Sequence, residues 1–380
     1  MIPASGPGND SPMKKLLALP LLLLSAVLGR SEDAAPPVRI AIYGLVHDHA
    51  RGMIPRFKGR TDVVLAGIVE PNEELVARYA KEYSLKSSLF YPTLEALLAK
   101  TKVQAVSAFT STFDHRKVVE MCAPLGIDVM MEKPLATTNE DARAIAAAAK
   151  SGGIQVIVNY ETTWYPSVQS AYRVIHTDHT IGDLRRIDVH DGHEGPAVIG
   201  CSPEFMAWLT DPVLNGGGAL MDFGCYGADL VTWFMEGQRP TSVFATTQQC
   251  QPDVYPKVDD DATIVVTYPK MTAILQASWN WPYDRKDMEI YGQKGALFLP
   301  KRDSLLLRPG RNPQVELPAP ALKEPNSDPL SYLAAVVRGQ IQPSGLSGLD
   351  VNLVATEILV AARESAKTGK RVDFAEVSPK

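Results

Sequence analysis

Between Val38 and Tyr160, short β-prone runs alternate with helical segments, and this alternation constrains the fold more than any other feature. Val38–Tyr43, Val63–Val69, Ala105–Phe109, Ile127–Met131 and Ile154–Tyr160 are apolar runs of the kind that strands buried on both faces require. Asp48–Phe57 reads as a helix disturbed by Pro55, and Asn72–Tyr83 as one with Leu75, Val76, Tyr79 and Ala80 on a single face. Leu94–Ala99 is a short helix, and His115–Leu125 a helix closed by Gly126. Thr138–Ser151 is Ala-rich, with Thr138 as N-cap, Asp141 placed to complete a capping box, and Gly152-Gly153 as its stop. A chain that repeats strand and helix in this way predicts a doubly wound parallel sheet of the Rossmann type.

The pattern changes after Tyr160. Tyr165–His176 and Met221–Met235 read as helices, Gly182–Val189 as a strand, and Thr241–Arg308 as closely spaced strands with turn signals. Helices return at Tyr332–Arg338 and Asp350–Thr368, the latter closed by Gly369. The expected fold class is α/β: an N-terminal Rossmann-type sheet and a C-terminal α+β domain with a large, mostly antiparallel sheet. The expected organisation is an N-terminal extension, signal and linker over 1–37, a dinucleotide-binding domain over 38–160, and a substrate and oligomerisation domain over 161–380.

Lys14-Lys15 followed by the apolar run Leu16–Leu28 has the layout of a secretory signal spanning about 13–29, too short for a comfortable bilayer span. Export to a periplasmic or extracellular compartment is therefore expected, with Met13 as the start and no stable membrane span after cleavage. A formal net charge of -5, with no basic run beyond the amino terminus, argues against a nucleic-acid partner. The 4 cysteines do not form a disulfide framework. Cys122 and Cys225 read as core residues, while Cys201 and Cys250 are a pair that an oxidising compartment would allow to join.

Three stretches carry chemistry. Glu132-Lys133-Pro134 ends an apolar strand, at the edge where open α/β sheets bind ligands, and Pro134 restricts the backbone of Lys133. The turn after the first strand reads Gly44-Leu45-Val46-His47-Asp48-His49, so only the first glycine of a dinucleotide fingerprint is present. His47-Asp48-His49 is compatible with phosphate contact, with a metal, or with a plain loop. Adjacent residues chelate poorly and no third ligand is evident, so no metal is assigned. Glu70, at the end of the second strand, stands where an acid accepts ribose hydroxyls, which favours NAD over NADP. Further on, Gly216-Gly217-Gly218 precedes Asp222, Tyr226 and Asp229, spaced to share one helix face. A lysine near that phenol would lower its pKa toward a useful value. Trp164, Tyr165, Trp208, Trp279 and Trp281 are candidates for stacking on a sugar ring.

Together Glu132-Lys133-Pro134, the Thr110…His115 segment, the Gly-Gly-x-x-x-Asp stretch and the Ala355–Val372 end resemble the Gfo/Idh/MocA oxidoreductase family over about Val38 to Phe374. The resemblance implies that Lys133 contacts nicotinamide ribose and substrate hydroxyl, that Asp222 orients the substrate, and that Tyr226 is the acid–base residue. The tyrosine looks like the glucose–fructose oxidoreductase and dihydrodiol dehydrogenase branch. Catalytic roles thus fall to Lys133, Tyr226 and Asp222, and cofactor contacts to Gly44, His47, Glu70, Thr110, His115, Glu132 and Lys133. His190-Asp191-Gly192-His193-Glu194 would face the same site. The family's usual Asn-x-Arg reads Glu161-Thr162-Thr163 here. The implied activity is hydride transfer between NAD and a sugar or polyol, in a homodimer or homotetramer. Two alternatives are a glycosidase-type cycle on bound NAD and a non-catalytic sugar-binding protein that has lost the cofactor.

Overall fold

The first apolar run becomes the centre of a sheet. The computed structural model describes residues 35–374; the expected signal segment and the last residues of the chain lie outside them. Strands β1 (Val38–Tyr43), β2 (Val63–Val69), β3 (Phe90–Tyr91), β4 (Ala105–Ala108), β5 (Asp128–Glu132) and β6 (Val156–Asn159) form one six-stranded sheet in the order β3-β2-β1-β4-β5-β6. Every pairing in it is parallel. Helices α1 (His49–Met53), α2 (Glu73–Glu82), α3 (Leu94–Leu98), α4 (His115–Cys122) and α5 (Asn139–Gly152) connect the strands. Chain order reverses between β1 and β4, so the turns after these two strands diverge and leave a crevice.

Local chemistry sets the helix ends. Asn72 Oδ1 accepts the backbone N–H groups of Glu74 and Leu75 at the start of α2. Thr138 Oγ1 accepts that of Asp141 at 3.0 Å, the expected half of a capping box. Gly153, at φ 63°, closes α5 in the left-handed region. α1 is only five residues long, because Pro55 cannot donate the next helical hydrogen bond and the chain continues as a 3-10 turn over Ile54–Phe57.

The second sheet has nine strands: β7 (Leu184–Gly192), β8 (Ser242–Gln248), β9 (Asp261–Thr267), β10 (Thr272–Ser278), β11 (Arg285–Gly292), β12 (Gly295–Lys301), β13 (Ser304–Pro309), β14 (Val315–Leu317) and β15 (Val372–Asp373). All pairings are antiparallel except β7 with β10. Alternating burial along β9 and β10 turns one face toward the core. Helices α6 (Pro166–His176), α8 (Ala219–Asp222), α9 (Gly224–Phe234) and α11 (Leu349–Thr368) pack against this sheet, whereas α7 (Pro203–Leu209) reaches the turn after β1 and α10 (Pro329–Val337) joins the first sheet. Leu330, Leu333 and Val336 of α10 join Val38, Ile40, Ile42 and Ile68 in the core of the first sheet. Tyr160 is therefore a boundary in sequence pattern but not in packing, and from Pro36 onward the chain forms one compact body.

One helix differs from expectation. The segment read as Met221–Met235 breaks at Phe223, whose φ of -107° separates α8 from α9. Asp222 consequently does not share a continuous helix face with Tyr226 and Asp229. All four cysteines are free thiols, Cys122 and Cys225 in the core as their patterns indicated.

Candidate active site

β5 carries Glu132 and Lys133 to the carboxyl edge of the first sheet, where the Lys133–Pro134 peptide is cis. Lys133 Nζ donates to Asp222 Oδ1 at 2.5 Å and to the Asp222 carbonyl at 2.8 Å. Trp279 Nε1 donates to the other Asp222 oxygen at 2.9 Å. The two side chains are buried, 7% and 8% exposed. Burial opposes both charges, yet their proximity prevails: the lysine pKa is raised and the aspartate pKa lowered. The two residues, named separately in the sequence, are thus joined as a buried ion pair.

Tyr226 lies against that pair. The ammonium groups of Lys133 and Lys286 sit 5.1 Å and 5.3 Å from its ring centroid. The expected lowering of the phenol pKa does not occur. Burial first, then the neighbouring acidic groups Glu161, Asp222 and Glu132, hold it well above 10. Lys133 is neutralised by Asp222 and faces the ring's π surface, so its charge does little for the phenolate. At neutral pH Tyr226 is a proton donor. Asp229 is isolated in the core with both carboxylate oxygens unpartnered, and burial pushes its pKa far up, so it stands there as a neutral acid.

The cofactor-side residues are gathered at the crevice, but they are covered. Gly44, at φ 82°, has Phe109 O only 2.9 Å from where a Cβ would stand, so the first turn needs glycine. Glu70 is buried and its carboxylate already accepts Leu45 N at 2.8 Å and Asn72 N at 2.9 Å. Burial raises its pKa against those two bonds. Thr110 Oγ1 donates to the Ser111 carbonyl within the loop after β4. His115 Nδ1 lies 3.1 Å and 3.2 Å from the carbonyls of Pro134 and Leu135, and its Nε2 is buried without a partner. Its Nδ1 thereby braces the turn that bears Lys133.

The cover is the segment around α7. Trp208 Nε1 donates to Val46 O at 3.2 Å, and Ser202 N donates to Asp48 Oδ2 at 2.7 Å. Glu204 is ion-paired with Arg78 on α2. The rings of Phe205 and Trp208 lie 4.8 Å and 5.3 Å from that of His47. His47 is thus enclosed, and burial lowers its pKa well below the usual range. The residues fit the two ends of a dinucleotide, Glu70 for the adenosine ribose and Lys133 for the nicotinamide side. In the middle, Gly44, Leu45 and His47 are buried beneath the α7 segment, while His49 remains exposed.

Asn159, Lys286 and Asp287 lay beyond sequence reasoning. Glu132 Oε2 is 2.8 Å from His49 Nδ1, and its Oε1 accepts Asn159 Nδ2 at 2.9 Å. These partners overcome burial and keep the Glu132 pKa low. Lys286 Nζ reaches Glu161 Oε2 at 2.6 Å, and His190 Nδ1 reaches Asp287 at 2.8 Å. Asp191, between these pairs, is pushed up to about 8 by burial and the neighbouring Asp287 and Glu161, against the lowering effect of Lys286. The polar His190-Asp191 pair in a strand was a visible signal. Its partners, facing it across β11, were not. Of the tryptophans, Trp279 is wholly buried beside Asp222, Trp208 lies under the cover, and Trp164 lines a cavity of about 430 Å³ with His49, Glu132, Asn159 and Glu161.

A parallel nucleotide-type sheet that delivers a lysine into a buried pair with an aspartate of an antiparallel-sheet lobe defines a two-lobed oxidoreductase of the nicotinamide-dependent class. Residues 38–160 match the oxidoreductase family's NAD-binding Rossmann fold, and residues 168–298 match the Gfo/Idh/MocA C-terminal domain. The chain belongs to the Gfo/Idh/MocA oxidoreductase family. It is 25% identical over 333 residues to trans-1,2-dihydrobenzene-1,2-diol dehydrogenase of Bos taurus, covering 85% of this chain and 92% of that protein. The match to the Sus scrofa protein of the same name is 27% identical but spans 50% of this chain and only 53% of that protein. Among solved structures, an aldose-aldose oxidoreductase from Caulobacter crescentus, complexed with glycerol, superposes with a TM-score of 0.75 at 24% identity, covering 89% of this chain and 100% of that one. An inositol dehydrogenase homolog complexed with NAD+ from Azotobacter vinelandii gives 0.76 at 19% identity, covering 90% and 98%. Likeness at this identity establishes the fold. Among the described residues, no helix is long and apolar enough to cross a membrane.

Proposed function

We propose that the chain is an exported oxidoreductase that uses NAD to interconvert a hydroxyl and a carbonyl on a sugar or polyol. The observation that carries this reading is the buried Lys133–Asp222 pair with the protonated Tyr226 phenol beside it. Bound NAD would supply the site that accepts or gives the hydride. Lys133 has three N–H donors, of which two go to Asp222. The third is left for the substrate oxygen, where it stabilises developing alkoxide charge. Asp222, fixed by Trp279, keeps the ammonium aimed. Tyr226 holds the proton that a carbonyl oxygen takes on reduction. With its phenol pKa raised, Tyr226 keeps this proton at neutral pH, and the form that accepts one from a hydroxyl is populated only as pH rises.

Glu70 supports NAD over NADP, because a 2′-phosphate beside a carboxylate is repelled. The names of the relatives, which specify a dihydrodiol, an aldose or an inositol, support a polyhydroxylated substrate. The basic-then-apolar run Lys14–Leu28 supports export, and the half-buried outward positions of β9 and β10 support a homo-oligomer. The cover over Gly44–His49 favours a second reading on one point. A cofactor held beneath it exchanges slowly, which suits a cycle of oxidation, elimination and re-reduction on one bound NAD.

The test is the ligand released by denaturing the purified protein, followed by nucleotide turnover with aldoses, inositols and vicinal diols. Released or bindable NAD with net turnover of added nucleotide supports the dehydrogenase. Glycoside cleavage without net NAD consumption supports the second cycle. Protein that neither carries nor binds NAD or NADP overturns both.

A further inference from the structure

The third ligand that the sequence withheld is supplied by the fold. His47 and His49 lie two residues apart on the turn after β1, with ring centroids 4.5 Å apart and planes tilted by 55°. Glu132 arrives from the end of β5, and the three candidate ligand atoms all lie within 4.8 Å of one another. We propose that His47, His49 and Glu132 bind one divalent first-row transition-metal ion, with its open coordination positions facing the cavity walled by Asn159, Glu161 and Trp164.

The donor set selects the ion. Two imidazoles and one carboxylate suit zinc, cobalt, iron or manganese, whereas magnesium and calcium favour all-oxygen shells. Bonds of roughly 2.0–2.2 Å require donor atoms about 3–3.5 Å apart. His49 and Glu132 already meet at 2.8 Å, so the remaining adjustment falls mainly on the imidazoles. The His49 side chain is 49% exposed and has room to move. His47 Nδ1 accepts the His49 backbone N–H at 3.2 Å, so ligation through that nitrogen replaces this one long hydrogen bond.

The surroundings are built as an outer shell. Trp164 Nε1 donates to Asn159 Oδ1 at 3.0 Å, and Asn159 Nδ2 donates to Glu132 Oε1, which fixes the carboxylate and leaves Oε2 toward the histidines. Phe205 and Trp208 wedge the His47 ring on its other side. His49 and Glu132 both line the cavity, which opens a route for the ion and for an oxygen ligand. The simpler alternative is a His49–Glu132 hydrogen-bonded pair with no ion.

The experiment uses full-length protein with any affinity tag removed, stripped by chelator and kept free of nicotinamide nucleotide, so its outcome is independent of the redox reading. Zn²⁺ is titrated by calorimetry and Co²⁺ by visible absorption, with Mg²⁺ as a comparison. The expected result is about one equivalent of Zn²⁺ or Co²⁺, and an affinity at least ~100-fold weaker in His49→Ala and in Glu132→Gln. His190→Ala, whose imidazole pairs with Asp287, should bind as the parent does. Cu²⁺ loaded into the unmodified protein should show two imidazole nitrogens by electron spin-echo modulation, a readout that does not depend on any variant folding. No stoichiometric binding, binding unchanged in both ligand variants, or a signal without imidazole nitrogens overturns the proposal.

Discussion

Replacing Trp208 by alanine should tighten apparent NAD binding. Trp208 is 5% exposed, and its indole N–H donates to Val46 O, so it holds α7 directly on the turn between β1 and α1. Truncating a buried tryptophan costs about 3–5 kcal/mol in a core. If about half of that cost, ~2 kcal/mol, falls on the covered state relative to the withdrawn one, the fraction of molecules with an accessible groove rises. Apparent affinity is the intrinsic affinity scaled by that fraction. With 1.4 kcal/mol per tenfold, the gain is up to ~30-fold, provided that the covered state dominates in the parent. NADH fluorescence titration measures it, alongside a denaturation curve to establish that the variant remains folded. Glu204→Gln, which removes a partly exposed pair with Arg78, should move affinity in the same direction by only a few-fold. Unchanged affinity in Trp208→Ala would refute the idea that α7 is a cover. Weaker affinity would make the indole part of the nucleotide site.

Two further outcomes follow from buried charges. Lys133→Met strands the Asp222 carboxylate and should cost about 3–5 kcal/mol in a denaturant titration, while Lys133→Met combined with Asp222→Asn should recover much of that loss; activity should vanish in both. Asp191 has its folded pKa raised to about 8, so between the unfolded aspartate range and that value the native state holds a proton that the unfolded state does not. Stability should therefore fall as pH rises through that window, by up to ~1.4 kcal/mol per pH unit, and level off above it. Asp191→Asn should flatten the slope; an identical pH profile in the variant would remove Asp191 from the account.

The parts of the fold that depend on local pattern were legible in the sequence. The alternation from Val38 to Tyr160, the Thr138 cap and the left-handed Gly153 all follow from near-neighbour chemistry and were found where expected. So was the place of Lys133, because a strand end followed by proline fixes it within a few residues. The errors came from contacts across the chain. Nothing near Tyr226 in sequence indicates that Glu161 and Glu132 would raise its pKa. Nothing in the His115 segment indicates that its Nδ1 would meet the Pro134 carbonyl, 19 positions on. His47-Asp48-His49 lacked a third ligand only while Glu132, 83 positions beyond His49, was out of view. The α7 cover was likewise invisible, since Trp208 and Val46 stand 162 positions apart.

The place of α10 has a consequence for how the molecule comes into being. β1 is among the first structured parts to leave the ribosome, yet Leu330, Leu333 and Val336 are needed to seal one side of its sheet. Until almost the whole chain is made, the nascent first lobe carries an uncovered apolar flank, the kind of surface that invites association with other chains. A fragment ending near Tyr160 would keep that flank permanently. Under the export proposed above, this delay would be useful, because a lobe that cannot finish early stays pliable enough to be threaded across a membrane before it locks.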